Sequence, residues 1–141
     1  MGSRVVDRSA YDDYLRKFNA RDYDGVLDYY HDDFELSFAG YLFTTKAAVK
    51  SFYGFLHSYL DERIVIDRFI SDRTTVALEA RVQLKGLRDL TPEVLAAEGF
   101  ERMGVMSAGQ EIEIPQFIHY HLEDGKIRKA LCAIFMPPVP G

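Results

Sequence analysis

Few side chains in this sequence can move a proton near neutral pH or hold a metal. The chain of 141 residues has four histidines and one cysteine, against nine tyrosines, ten phenylalanines and no tryptophan. His57 follows Tyr53 at helical i,i+4 spacing, so on a helix the two share a face. An imidazole there is a natural base; the alternative is a histidine on the helix edge, facing solvent. His119 and His121 alternate along an extended segment and share one face. Such a pair can bind a metal only with a third ligand, and no other residue has the spacing to supply it. Glu79, Glu111 and Glu113 read as solvated or interface charges, and Cys132 as a small buried apolar side chain. No nucleophile motif, phosphate loop or dinucleotide fingerprint is present, so neither metal nor cofactor is expected.

The elements that must position these groups are legible from periodicity. Ser9 and Asp12 form a helix start, with Tyr11, Tyr14, Leu15 and Phe18 at helical spacing up to about Asn19. Asp22 or Asp24 can cap a second helix with Tyr23, Val26, Leu27 and Tyr30 on one face. A strand is expected from Phe34 to Phe38, then a loop from Gly40. A third helix follows, capped by Thr44 or Thr45, with Val49, Phe52, Tyr53, Leu56 and Leu60 as its stripe. From Glu62 the period becomes two. E-R-I-V-I-D-R-F-I, T-T-V-A-L-E-A-R-V-Q-L-K-G, E-I-E-I-P-Q-F-I-H-Y-H-L and K-I-R-K-A-L-C-A-I-F read as strands, the last two joined by the Asp124-Gly125 turn. Alternation sends Gln116, Ile118 and Tyr120 inward, and Phe117, His119 and His121 outward. Pro137, Pro138 and Pro140 end regular structure. Residues 87–109 form an insert with a short helix capped by Thr91-Pro92, more in keeping with a lid or packing element than an idle loop.

This order predicts an α+β domain spanning 1–141: three N-terminal helices against a curled antiparallel sheet, leaving a cone-shaped pocket. A net charge of −5 with dispersed Lys and Arg argues against nucleic acid. No apolar run approaches the ~18 residues that cross a bilayer, and the N-terminus has no signal-peptide core, so no membrane partner and a cytoplasmic location are expected. A lone cysteine fits a reducing compartment. The aromatic residues clustered between Tyr11 and Tyr59 either line a cavity or simply fill a core.

Y-L-R-K-F-N-A-R-D-Y-D-G-V-L-D-Y-Y-H-D-D-F-E-L-S-F, then F-Y-G-F-L and H-Y-H-L-E-D-G-K-I, resemble the ketosteroid isomerase and SnoaL-like branch of the nuclear transport factor two-like superfamily. The resemblance covers nearly all the chain outside the insert, and it is specific for fold rather than function. In ketosteroid isomerase an Asp is the base, and a Tyr with a protonated Asp stabilises the enolate. The resemblance places Tyr14 at the polarising tyrosine, and Tyr30 and Tyr53 at supporting ones. It places Phe38 at the base, and Ile118 or Phe117 at the protonated acid. The His and Asp of related polyketide cyclases fall on Ile118 and Cys132. The usual acids are therefore missing, and the base must be a tyrosinate, His57 or a group on the insert. Phe18, Phe38, Tyr41, Phe52, Leu56, Gln116, Ile118 and Tyr120 are expected to shape the pocket. The resemblance implies a homodimer through the outer sheet face. It also implies an isomerase, cyclase, dehydratase or lyase acting on a small apolar carbonyl- or phenol-bearing molecule. The competing reading is a binding or accessory protein that holds an apolar ligand without turnover.

Overall fold

A computed structural model describes residues 4–135. Helices α1 (Arg8–Asn19) and α2 (Tyr23–Leu27) precede strands β1 (Tyr30–Phe38) and β2 (Tyr41–Phe43). Helix α3 (Lys46–Tyr59) leads directly into β3 (Leu60–Ser71), followed by β4 (Thr75–Gly86), α4 (Pro92–Ala97), β5 (Glu111–Glu123) and β6 (Lys126–Ile134). The expected proline stop lies outside the described residues. Among those residues no helix is long and apolar enough to cross a membrane.

Capping chemistry sets the helix starts. Asp22, Thr45 and Thr91 accept from Gly25, Ala48 and Val94 backbone N–H groups. The first helix corrects the sequence reading: its cap is Asp7, which accepts from Ala10 N at 2.9 Å, rather than Ser9. The second helix is also shorter than expected. Tyr30 opens β1, so the tyrosines at positions 14, 30 and 53 come from two helices and a strand.

The six strands form one sheet in the order β2-β1-β6-β5-β4-β3. Its pairings are antiparallel except β1 with β6, which run parallel with Leu36 opposite Ala130. Two-residue turns close two of its hairpins. Asp124-Gly125 has φ of 52° and 76°, the left-handed pair that matches strand twist. Ala39-Gly40, with φ of 53° and 83°, makes the same turn between β1 and β2, and the expected loop is therefore a hairpin. Along β4, Val76, Leu78, Ala80 and Val82 are buried, as alternation requires, and they pack under the helices.

The insert is pressed onto the sheet at Gly86. Its N–H donates to Gln110 O at 2.8 Å and its carbonyl accepts from Gly109 N at 2.8 Å. A Cβ at Gly86 would stand 2.0 Å from the backbone oxygen of Ser107. Gly86→Ala is therefore expected to cost about 1–3 kcal/mol by overpacking. Urea unfolding checks it, and an unchanged midpoint would refute this account of the approach.

Candidate active site

At the end of the sheet away from the Asp124-Gly125 turn, the space between α3, the inner sheet face and the insert is not filled. A cavity of about 290 Å³ lies there. Its wall is mainly apolar, with Leu56, Val82, Ile114 and Met106 among its residues, and Phe38 stands at its edge beside the Ala39-Gly40 turn. Three polar side chains also border it: Glu62, Gln116 and Arg102.

Glu62 is the feature that sequence reasoning missed. Helix α3 ends at Tyr59 and β3 begins at Leu60 with no linker, so the chain doubles back and brings side chains five residues apart together. His57 Nε2 lies 2.7 Å from Glu62 Oε1, with side-chain exposures of only 3% and 8%. The other imidazole nitrogen, Nδ1, lies 2.7 Å from the Tyr23 hydroxyl. Tyr23 and Tyr53 lie nearly parallel to the His57 ring, at 5.7 and 5.3 Å with interplanar angles of 16° and 19°, and 6.3 Å from each other. Phe18 packs edge-on at 5.6 Å. His57 is thus enclosed rather than solvent-facing.

This arrangement has a self-consistent hydrogen pattern. The Tyr23 hydroxyl lies between Nδ1 and the Tyr53 carbonyl oxygen, 3.3 Å away, and in the tautomer that carries its hydrogen on Nε2 the imidazole donates to Glu62 Oε1. No described residue donates to Oε2, yet no buried side-chain oxygen or nitrogen among the described residues is left without a partner. Oε2 is therefore the oxygen that reaches open space at the cavity wall. The same reasoning applies to the Gln116 amide, which borders the same cavity. Gln116 is only 5% exposed, so its two N–H donors are held in a nearly dry wall. The Tyr53 phenol is kept neutral, its pKa raised by burial and then by the nearby Glu62 charge.

Four further tyrosines form two hydroxyl pairs away from the cavity. The Tyr14 and Tyr30 hydroxyls lie 2.9 Å apart, and those of Tyr11 and Tyr120 lie 2.7 Å apart. All four are buried, and burial raises the pKa of each. Each pair shares one hydrogen bond, and none of the four borders the cavity. Tyr53 makes no hydrogen bond to Tyr14 or Tyr30, because its ring lies with His57. The expected three-tyrosine network thus reduces to one pair, and a tyrosinate base is disfavoured by desolvation.

The expected pocket residues divide in the same way. Phe38, Leu56 and Gln116 border the cavity. Phe18, Phe52, Ile118 and Tyr120 are in solid core, each at most 4% exposed. Tyr41 packs outside, at 5.3 Å from the Phe100 ring, and its hydroxyl accepts from Arg102 N at 2.9 Å. His119 and His121 lie exposed on the outer face with rings 5.1 Å apart. Among the described residues no group of three or more His, Cys, Asp or Glu is placed to hold a metal ion.

Cys132 is half-buried on the inward phase of β6, opposite Ile118. Burial, with the Glu62 charge behind it, pushes its thiol up to about 12. At pH 8 the folded protein should therefore react with iodoacetamide more than about a hundredfold more slowly than the urea-unfolded chain. Equal rates would refute the placement.

A mixed α+β domain with one curled six-stranded sheet, a few covering helices and an open hollow defines the nuclear transport factor two-like cone. Within that class, residues 11–130 match the SnoaL-like domain, and the chain belongs to that family. Three solved structures illustrate the likeness. A candidate polyketide cyclase from Pseudomonas putida KT2440 superposes with TM-score 0.70 at 21% identity, over 87% of this chain and 86% of that one. A SnoaL-like polyketide cyclase from Agrobacterium tumefaciens C58 gives 0.67 at 17% identity, over 89% and 87%. An LEH-like epoxide hydrolase from M. tuberculosis gives 0.65 at 13% identity, over 90% and 80%. At these identities the likeness is one of fold. Comparison with curated proteins finds no match.

Proposed function

We propose that the protein is a small-molecule enzyme that moves a proton on an apolar, carbonyl- or phenol-bearing substrate, with Glu62 as the base. The observation that carries this reading is the Tyr23–His57–Glu62 chain, half-buried at Tyr23 and buried at the other two side chains, which ends on the wall of a mainly apolar cavity. A buried carboxylate is costly unless it is paired and hydrogen-bonded. Here one oxygen is held by His57 and the other is left to the ligand. Gln116 offers a neutral donor for the oxygen on which charge develops as the proton leaves. Isomerisation, cyclisation, dehydration and carbon–carbon cleavage all use that pair of functions.

Incubation in D₂O with a panel of cyclic ketones and hydroxyaryl ketones, followed by mass spectrometry, tests the assignment. Protein-dependent deuterium uptake that disappears in Glu62→Gln supports it. Uptake that survives the substitution moves the base elsewhere. Absence of uptake across the panel, with ligand still bound, favours the non-catalytic binding reading.

We propose further that two copies of the chain pair through the outer sheet face. Phe117 and Phe135 stack at 5.3 Å on the outer face, 45% and 43% exposed, which favours pairing of two copies there. Sedimentation of the wild type against Phe117→Asp checks it, with a shift to monomer expected.

A further inference from the structure

We infer that the ligand of this cavity carries an anionic group on an apolar body, and that Arg102 reads that group at the cavity mouth. This rests on the cavity being the site of chemistry and narrows the substrate to small, acid-bearing molecules. The two charged side chains on the cavity wall differ in depth: Glu62 is buried, whereas Arg102 is exposed. A ligand entering apolar end first meets the carboxylate deep and the guanidinium last.

Arg102 is held but not consumed. Its backbone N–H donates to the Tyr41 hydroxyl at 2.9 Å, which fixes the segment that carries it. Its NH1 donates to Gly40 O at 3.4 Å, a long contact that uses one of the five donors of the guanidinium. A Cβ at Gly40 would come within 3.3 Å of the same nitrogen, so the side chain lies directly over the Ala39-Gly40 turn. Among the described residues no carboxylate lies within ion-pair distance of Arg102; Arg63, Arg68, Arg73 and Arg88 share that state, but only Arg102 of these borders the cavity.

A planar guanidinium with free donors is matched by the two oxygens of a carboxylate. Met103 and Ile134 border the same cavity, and apolar neighbours lower the local dielectric and strengthen such a pair. Placing the ligand's charge at the mouth also keeps it away from Glu62, so the two anions do not share one end. A carboxylate on an aromatic or alicyclic body satisfies each of these demands; a neutral hydrocarbon leaves the guanidinium unused, and a cation is repelled by it.

The test uses 1-naphthylacetate and its neutral near-isostere 1-naphthylacetamide as probes of the full chain by calorimetry. The acid is expected to bind at least about tenfold more tightly than the amide. Arg102→Gln should abolish that preference, Arg102→Lys should retain part of it, and added salt should weaken only the acid. Equal binding of the two probes, no binding of either at millimolar concentration, or a preference that survives Arg102→Gln overturns the inference. The same preference measured in Glu62→Gln separates this outcome from the reading above: discrimination without deuterium uptake leaves Arg102's role standing and locates the failure in the chemistry.

Discussion

Glu62→Gln is expected to reduce turnover about a thousandfold while leaving the fold intact. The amide keeps the shape of the carboxyl, and its carbonyl still accepts from Nε2–H of His57 at the 2.7 Å spacing that now holds Oε1. What disappears is the oxygen able to take a proton. Two controls bracket the result. Tyr23→Phe removes the partner of Nδ1 without touching the cavity, so the imidazole loses its orientation, and a decrease of about tenfold is expected. A charge relay acting through His57 predicts that the Tyr23→Phe loss nearly vanishes in the Glu62→Gln background, because the hydroxyl acts only by way of the carboxylate. Additive losses in the double variant would mean that Tyr23 acts independently. Circular dichroism and thermal melting of all three variants keep a folding defect from passing as a catalytic one.

The largest effect on stability is expected at Phe52. Its ring is 2% exposed and meets Phe43 and Tyr53 at 5.0 Å, Phe100 at 4.9 Å and Phe38 at 6.0 Å. It therefore joins α3, both strands of the first hairpin and the insert in one aromatic stack. Phe52→Ala should cost about 3–5 kcal/mol, the transfer term of a buried ring plus the void that these stiff neighbours cannot close. That is a large share of the ~5–15 kcal/mol by which domains are ordinarily stable. The midpoint in guanidinium should fall well below that of wild type with the slope unchanged. A loss under about 1 kcal/mol would mean that the insert collapses into the space. Because Phe38, one of its ring neighbours, also borders the cavity, the variant should bind ligands less selectively even where it remains folded.

How much of this was readable depends on the range of the signal. The helices, the long strands and the Asp124-Gly125 turn follow from period and turn chemistry, which act over a few residues. The β1–β2 hairpin was hidden because Ala39 occupies a left-handed conformation that a residue with a Cβ seldom adopts. Tyr30 fits the stripe of a helix as well as the start of a strand, and only its place opposite Ile127 decides. Of the residues that border the cavity, Phe38, Leu56 and Gln116 were named from the sequence, but Glu62, the partner of His57, was not. A signal was available: alternation in Leu60-x-Glu62-x-Ile64-x-Ile66 puts one carboxylate on the apolar phase of a strand, where it has no solvent to face. Tyr14 and Tyr30 were placed in the site by family resemblance. Their hydroxyls do meet, but none of the four paired phenols borders the cavity.

The parallel pairing of β1 with β6 has a kinetic consequence. The sheet's interior seam joins Leu36 to Ala130, so one of the first strands made must wait for the last to find its inner neighbour. Until then the early helices and β1 hold an unshielded apolar face and an unpaired edge, the conditions under which nascent chains stick to one another. Closure of so long a loop is slow, and a chain released before Ile134 should be captured by chaperones rather than persist as a shortened domain.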